Sequence, residues 1–350
     1  MDVGLLSLAT AVPSYKAAQR DVVAAARVVF QDDFEDFDRL AAVFFSAGID
    51  ERYTVKPFPW YLDDQDWPSR TEAYVDGALA LFVEAAAKAL DKADLVASDV
   101  DTIVTVSSTG IAAPSLEARA MAKLGFRGDI LRVPVFGLGC AGGAAGLALG
   151  AELAAARPGS VVLVVAVELC SLAVRRDLAT KANMVALALF GDGAAAAILR
   201  AGAGGWMQIV DTGQHTWTDT LDIMGWRVDP MGFGVIFDQS IPRFAYDNLA
   251  GGIDRILDAQ GMARADISRF ICHPGGRKVL EAIEASLKLP TQSLDHEREV
   301  LKRFGNMSAP TALFVLERVL AAGDLPRKSL LLALGPGFTV ATVTLAASGS

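Results

Sequence analysis

Apolar residues in this chain fall into two rhythms that alternate from one end to the other. Short, nearly unbroken runs of Val, Ile, Leu and Ala predict buried strands at 3–9, 102–107, 161–168, 194–200, 206–212, 270–273, 330–334 and 340–345, because a strand covered on both faces needs no polar alternation. Between them lie longer, Ala-rich stretches with apolar positions three and four apart, which predict helices at 74–90, 116–124 and 278–289. Strand and helix in alternation is the pattern of an α/β fold with a largely buried sheet.

The pattern occurs twice. DVDTIVTV, from Asp99, leads through a helix to a turn at Cys140 that launches a helix of small residues; DISRFICH, from Asp266, leads through a helix to a similar turn at Asn306. Cys140 lies 41 residues after Asp99, and Asn306 lies 40 after Asp266. Each small-residue helix is followed by two strands, SVVLVVAVE with GAAAAILRA and SLLLALGPG with FTVATVTLAA. A period of about 167 residues is too long for a solenoid and fits two copies of one α/β unit. Two halves are therefore expected, 1–203 and 204–350, meeting at AGAGG (201–205), with Cys140 and Asn306 at related helix N-termini about a pseudo-twofold axis.

Composition narrows the function. A chain of 350 residues has ample core for catalysis. The balance of 32 basic against 41 acidic residues, with no basic cluster interleaved with aromatics, argues against a nucleic-acid partner. Cys140, Cys170 and Cys272 are far apart and form no C-x-x-C, so neither a disulfide framework nor a metal site is expected, and the usage suits a reducing cytoplasm. MDVGLLSLATAVPSY has no basic region before its apolar run and reads as a first strand, not a signal peptide. Residues 133–151 are 19 positions without a charge, long enough to span a membrane. Pro134, six glycines and a shortage of Leu, Ile and Phe make a buried core helix the better reading, so no membrane span is expected.

The stretch FGLGCAGGAAG (136–146) admits two chemistries. Gly137, Gly139 and Gly142 fit the G-x-G-x-x-G of a dinucleotide loop, with Glu168, 26 residues past Gly142, as the ribose acid. That reading leaves Cys140 and its counterpart Asn306 unexplained. Alternatively, Cys140 is a nucleophile at a helix N-terminus, where free N–H groups and the helix dipole favour the thiolate.

A thiol nucleophile needs a base, and there are three histidines. His296, in DHERE, reads as solvated surface, and His215 lies in a polar loop. His273 ends an apolar strand and meets Pro274-Gly-Gly, at the carboxyl edge of a sheet where α/β sites collect. Asn306, in FGNMSAP, has the residue type of a helix cap, yet the duplication places it opposite Cys140. Cys140, His273 and Asn306 then converge on one carbonyl. A papain-like protease would use its Asn to orient the His, and it has no such duplication. Here a His N–H and an Asn amide make an oxyanion hole, suited to a thioester carbonyl becoming an enolate or a tetrahedral adduct.

With GCAGG around Cys140, ALFGDGAAA at 188–196, CHPGG at 272–276, GNMSAP at 305–310 and GPGFTV at 335–340, the chain resembles, over nearly its whole length, the type III polyketide synthases, relatives of chalcone synthase among the thiolase-like condensing enzymes. The resemblance implies a layered αβαβα fold of two duplicated halves, a cytoplasmic homodimer, and coenzyme A thioesters as substrates with no cofactor, acyl carrier protein or metal. It implies that Cys140 takes the acyl group of an acyl-CoA starter and that His273 keeps the cysteine ionised. His273 and Asn306 hold the malonyl-CoA oxygen during decarboxylation. Iterated condensation then gives a pyrone, resorcinol or phloroglucinol-type product.

By the same resemblance, Phe190 is a gatekeeper between a coenzyme A tunnel and the cavity. Ser308 lines the cavity, Gly275 belongs to the histidine motif, and the backbone at Lys278 meets coenzyme A. Arg52 and Lys56 are phosphate partners at the tunnel mouth. The chain departs from the plant pattern at ALGPG (333–337), at Val235 in place of a second gatekeeper Phe, and at Ala113 in place of a Met that reaches across the dimer. DIMGWRVDPMGFGVIF (222–237) looks like bacterial members, some of which extend fatty acyl starters. The alternatives are a 3-oxoacyl-ACP synthase III-like condensing enzyme and a non-catalytic acyl-CoA-binding module.

Overall fold

A computed structural model describes residues 2–202, 204–323 and 326–347. In chain order the strands are β1 (Val3–Ala11), β2 (Tyr15–Ala18), β3 (Glu51–Thr54), β4 (Thr102–Val106), β5 (Leu131–Val135), β6 (Val161–Leu169), β7 (Asp192–Ala201), β8 (Met207–Thr216), β9 (Met224–Asp229), β10 (Gly232–Phe237), β11 (Arg269–Cys272), β12 (Lys328–Gly335) and β13 (Thr339–Ala347). Every strand expected from the sequence is among them. Nine form one sheet in the order β11-β12-β13-β8-β1-β7-β6-β4-β5, and β9–β10 and β2–β3 are separate ribbons.

Outward from the centre, β1-β7-β6-β4 repeats as β8-β13-β12-β11. In each set the two outer strands are parallel and the other joins antiparallel. The sets meet where Val3–Leu5 of β1 pairs with Met207–Ile209 of β8. Three apolar clusters fill the spaces between layers. One joins helix Trp67–Lys92 to the first set of strands. Another joins helices Ile241–Ala259 and Arg277–Leu287 to the second. Between the sets, the third surrounds helices Gly142–Ala156 and Ala309–Ala321. This is the expected αβαβα layering. The expected junction follows β7, and Ala203 within it lies outside the described residues.

The two middle helices touch because the first carries glycines. A Cβ on Gly143 would stand 2.1 Å from the Ala309 carbonyl oxygen, and one on Gly146 or Gly150 would strike Val106 or Val164 of the sheet. Small residues thus serve close approach, and they bring the N-termini of both helices together at the centre.

The uncharged run 133–151, which reads in sequence as one core helix, is divided in the fold. It begins as the end of β5, passes through a 3-10 turn at Gly139–Ala141, and becomes helical only at Gly142. Pro134 and the glycines at 137 and 139 break it, Gly137 at φ 92° and Gly139 at φ 48°. Gly139–Ala156 has the length and apolar composition of a membrane span, but its helix is the middle layer of the protein. Helix Trp67–Lys92 also starts earlier than the periodicity indicates. Asp66 caps it by accepting from the Ser69 N–H at 2.8 Å, with Pro68 in its first turn.

Candidate active site

The turn bearing Cys140 is held from two sides. Ser108, just past β4, accepts from the N–H groups of Gly137 at 3.1 Å and Gly139 at 3.3 Å. From the other half, the GPG loop packs so closely that a Cβ on Gly335 would lie 2.6 Å from Ala141 and from the Leu138 oxygen. The result is a thiol 8 % exposed, facing Asn306, with Sγ 3.9 Å from Oδ1.

Asn306 is fixed by backbone and side chain alike. Its N–H donates to Leu189 O at 2.8 Å and its carbonyl accepts from Gly191 N at 3.0 Å, tying it to the LFGDG turn. Oδ1 accepts from Ser308 N at 2.8 Å, and Nδ2 donates to Gly275 O at 3.2 Å. Those bonds orient the amide and leave one of the two Nδ2 hydrogens for another acceptor. The residue therefore is not the helix cap that its type allows; that position belongs to Ser308, at φ 58°.

His273 follows β11 directly, its N–H donating to Leu332 O at 2.9 Å. Its ring borders Gly275, where a Cβ would stand 3.7 Å from Nε2. The ring is buried and neither nitrogen has a partner. Cys140, Asn306, Gly275 and His273 thus form one contiguous line of contacts drawn from both halves.

The electrostatics correct one expectation. The helix N-terminus does not dominate at Cys140: burial pushes the thiol up to about 11, against lowering by hydrogen bonding with Ser308 and Asn306. Burial also pushes His273 down to about 3. Each group alone stays neutral.

Around this line lie aromatic rings. Phe190, 8 % exposed, meets Trp226 and Phe237 of the β9–β10 ribbon edge-on at 6.4 and 6.5 Å. Val235 pairs with Trp226 across that ribbon, and Trp226 Nε1 donates to Ser108 O at 2.8 Å. Sequence reasoning misses Trp226, because the scattered apolar residues around Asp229-Pro230 mark no clear strand there.

Glu168, weighed in the sequence only as the acid of the disfavoured dinucleotide reading, has oxygens that accept from Ser108 N and from Thr109 Oγ1 at 2.7 Å, fully buried. Burial pushes it up to about 7. The carboxylate is committed to the segment that holds the Cys140 turn, which removes the acid of a dinucleotide site.

Arg52 is also corrected. It is 2 % exposed, out of reach of a phosphate in solvent, and donates to the carbonyls of Leu187 at 2.8 Å, Ala188 at 2.8 Å and Phe190 at 3.0 Å. It closes the C-terminal end of helix Lys181–Leu189, where unpaired carbonyls attract a cation. Lys56 is half-buried beside helix Phe58–Leu62, its N–H reaching the Tyr61 hydroxyl at 3.3 Å. Lys278 is exposed in the first turn of Arg277–Leu287. None of the three hydrogen-bonds Cys140, His273 or Asn306. Among the described residues no cluster of His, Cys, Asp and Glu could hold a metal ion.

Residues 65–203 match the family model for the N-terminal domain of chalcone and stilbene synthases, and residues 208–348 match that for the C-terminal domain. The chain is 40% identical to a 1,3,6,8-tetrahydroxynaphthalene synthase of Streptomyces peucetius subsp. caesius, over 96% of this chain and 91% of that protein. It is 36% identical to a putative chalcone synthase of Bacillus subtilis, over 96% of each. The crystal structure of the 1,3,6,8-tetrahydroxynaphthalene synthase of Streptomyces coelicolor superposes with a TM-score of 0.93 at 26% identity, covering 99% of this chain and 100% of that one. With both family domains in order over a thiolase-like fold, the chain belongs to the chalcone and stilbene synthase family and is a type III polyketide synthase.

Proposed function

We propose that Cys140, His273 and Asn306 carry the condensation, the half 1–203 supplying the nucleophile and the half 204–350 the other two. The observation that carries this reading is the contact line from Cys140 Sγ through the Asn306 amide to Gly275 and His273. Loading begins when Cys140 passes its proton to His273 and attacks the thioester carbonyl; coenzyme A leaves as the thiol, taking that proton. Malonyl-CoA then loses CO2. The electron pair of the broken C–C bond stays as an enolate, whose oxygen accepts from His273 and from the free Nδ2 hydrogen of Asn306. A histidine kept neutral by burial suits this donor role. The enolate carbon attacks the acyl-Cys140 carbonyl, a C–C bond forms, and the cysteine thiolate is released for the next round.

Phe190, Val235, Ser308 and Gly275 border the acyl path in this reading, while Lys56 and Lys278 remain as partners for coenzyme A phosphates. The enzyme is a cytoplasmic homodimer. For the product, the two tetrahydroxynaphthalene synthases among the relatives favour iterated malonyl-CoA condensation cyclised to a polyhydroxylated aromatic, a side-chain-free skeleton that malonyl-CoA alone could supply. A fatty acyl starter is the second reading. It rests on the small Val235 side chain, which lies across the ribbon from Trp226.

Incubation with malonyl-CoA, alone and with short to long acyl-CoAs, beside Cys140→Ala, tests the assignment by product mass. Aromatic product from malonyl-CoA alone, absent in the variant, is the expected result. Product only with long acyl-CoAs would favour the second reading. Full turnover by the variant would sink the role of Cys140.

A further inference from the structure

His273 and Asn306 lie on different elements, the end of β11 and the residue after helix Asp295–Phe304 and its Gly305 cap. Their relative placement therefore depends on what joins strand to helix. One buried side chain does so. Glu297, in the first turn of that helix and with no solvent exposure, accepts through Oε1 from the Cys272 N–H at 3.0 Å, one residue before His273. Its other oxygen has no hydrogen-bond partner. Arg269, at the start of β11, approaches that oxygen to 3.7 Å and bonds Asp295 at 3.2 Å.

The helix is anchored independently at its start. Glu284, on the preceding helix, accepts from Leu294 N at 3.1 Å and pairs with Arg298 at 2.7 Å. With both ends of the connection held, the Glu297 bond sets the spacing between strand and helix. Placing a carboxylate there is costly: burial pushes Glu297 up to about 7, and only one of its oxygens is satisfied. A packing contact alone would not need a hydrogen-bond acceptor at such a depth.

The geometry points to Glu297 as a positioning residue that couples His273 to Asn306, so that both donors meet one enolate oxygen. It acts through the backbone of Cys272 and touches no substrate. The inference rests on the assignment of His273 and Asn306 made above. Oxyanion donors contribute most when their geometry is fixed before reaction, and small misplacements lower turnover more than binding.

Two substitutions test it in the full-length enzyme with malonyl-CoA as substrate. Glu297→Leu has similar bulk but no acceptor, and should lower kcat about tenfold or more with KM changed less than about twofold, as expected when only transition-state contacts are disturbed. Glu297→Gln keeps an acceptor for Cys272 N–H and should retain kcat within about twofold. Thermal melts accompany both, with rates taken well below the transitions. Unchanged kcat in Glu297→Leu, a rise in KM in place of a fall in kcat, or equal losses in both variants would overturn the role. Should Glu297→Leu not fold, Glu297→Gln decides alone, since slow turnover in a variant that melts like the wild type contradicts it and full turnover supports it. A wild type without turnover would instead bring down the assignment of the site.

Discussion

Cys140 and His273 are each held neutral by the same cause, removal from water, and the proposed mechanism has the thiol pass its proton to the ring. Burial chiefly holds the thiol up to about 11, so in the proposed mechanism its reactivity at neutral pH depends on a base that takes the proton during attack. His273→Ala should then lower the rate of iodoacetamide alkylation at pH 7.5 about a hundredfold relative to wild type, by removing the acceptor for the thiol proton. The remaining rate in the variant should climb about tenfold per pH unit above neutrality, because only the thiolate reacts. Alkylation rates across pH 6 to 10 for both proteins provide the check; identical profiles would show that the ring takes no proton from the cysteine. The types of these residues and their symmetric spacing are legible along the chain, but their burial is not. A helix N-terminus reads as a stabilised thiolate in one dimension, while the layers above and below it exist only in three.

Elements are most legible where they are buried on both sides. The apolar runs of β6, β7, β12 and β13 can be read directly, whereas β5, β9 and β10 are only partly covered, lie around Pro134 or Asp229-Pro230, and blur into loops. β5 matters because it is the outer edge of the sheet. Leu131 N and Val135 O face β4, so residues 132 and 134 turn their backbone outward. Pro134 offers no N–H there, which blunts the edge against a continuous ladder. Apolar groups nevertheless surround it: Leu131 is 39 % exposed, Ile111 54 % and Phe136 56 %. The homodimer we propose would cover these side chains, with apolar contact outweighing strand pairing. Leu131→Glu would place a charge in that contact and should convert a dimer to monomer in sedimentation velocity at micromolar protein. A wild-type monomer, or a variant that stays dimeric, would move the interface elsewhere. Ala113, exposed before a cis bond to Pro114, belongs to the same loop as Ile111.

At the scale of the molecule, the layered fold is tight enough to bury every thiol it contains. Cys140 is pushed up to about 11, and Cys170 and Cys272 are raised well above their ordinary value, in each case chiefly by burial. The unfolded chain would release these protons near pH 9, the ordinary thiol range, while the folded chain retains them. Above that pH the native state therefore binds more protons than the unfolded state, and stability falls as pH rises, by up to about 1.4 kcal/mol per unit for each thiol. The desolvated hydroxyls of Tyr61 and Tyr74, also raised, push in the same direction at higher pH. The melting temperature should accordingly decline steeply between pH 8.5 and 10.5, beyond any general effect of the net charge of -9 becoming more negative. Cys272→Ala separates the two causes: the chain keeps its net charge at neutral pH and loses one retained proton, so its melting curve should fall less steeply with pH than the wild type. Parallel declines would mean that Cys272 titrates alike folded and unfolded, a result incompatible with a thiol sealed between β11 and the outer helices.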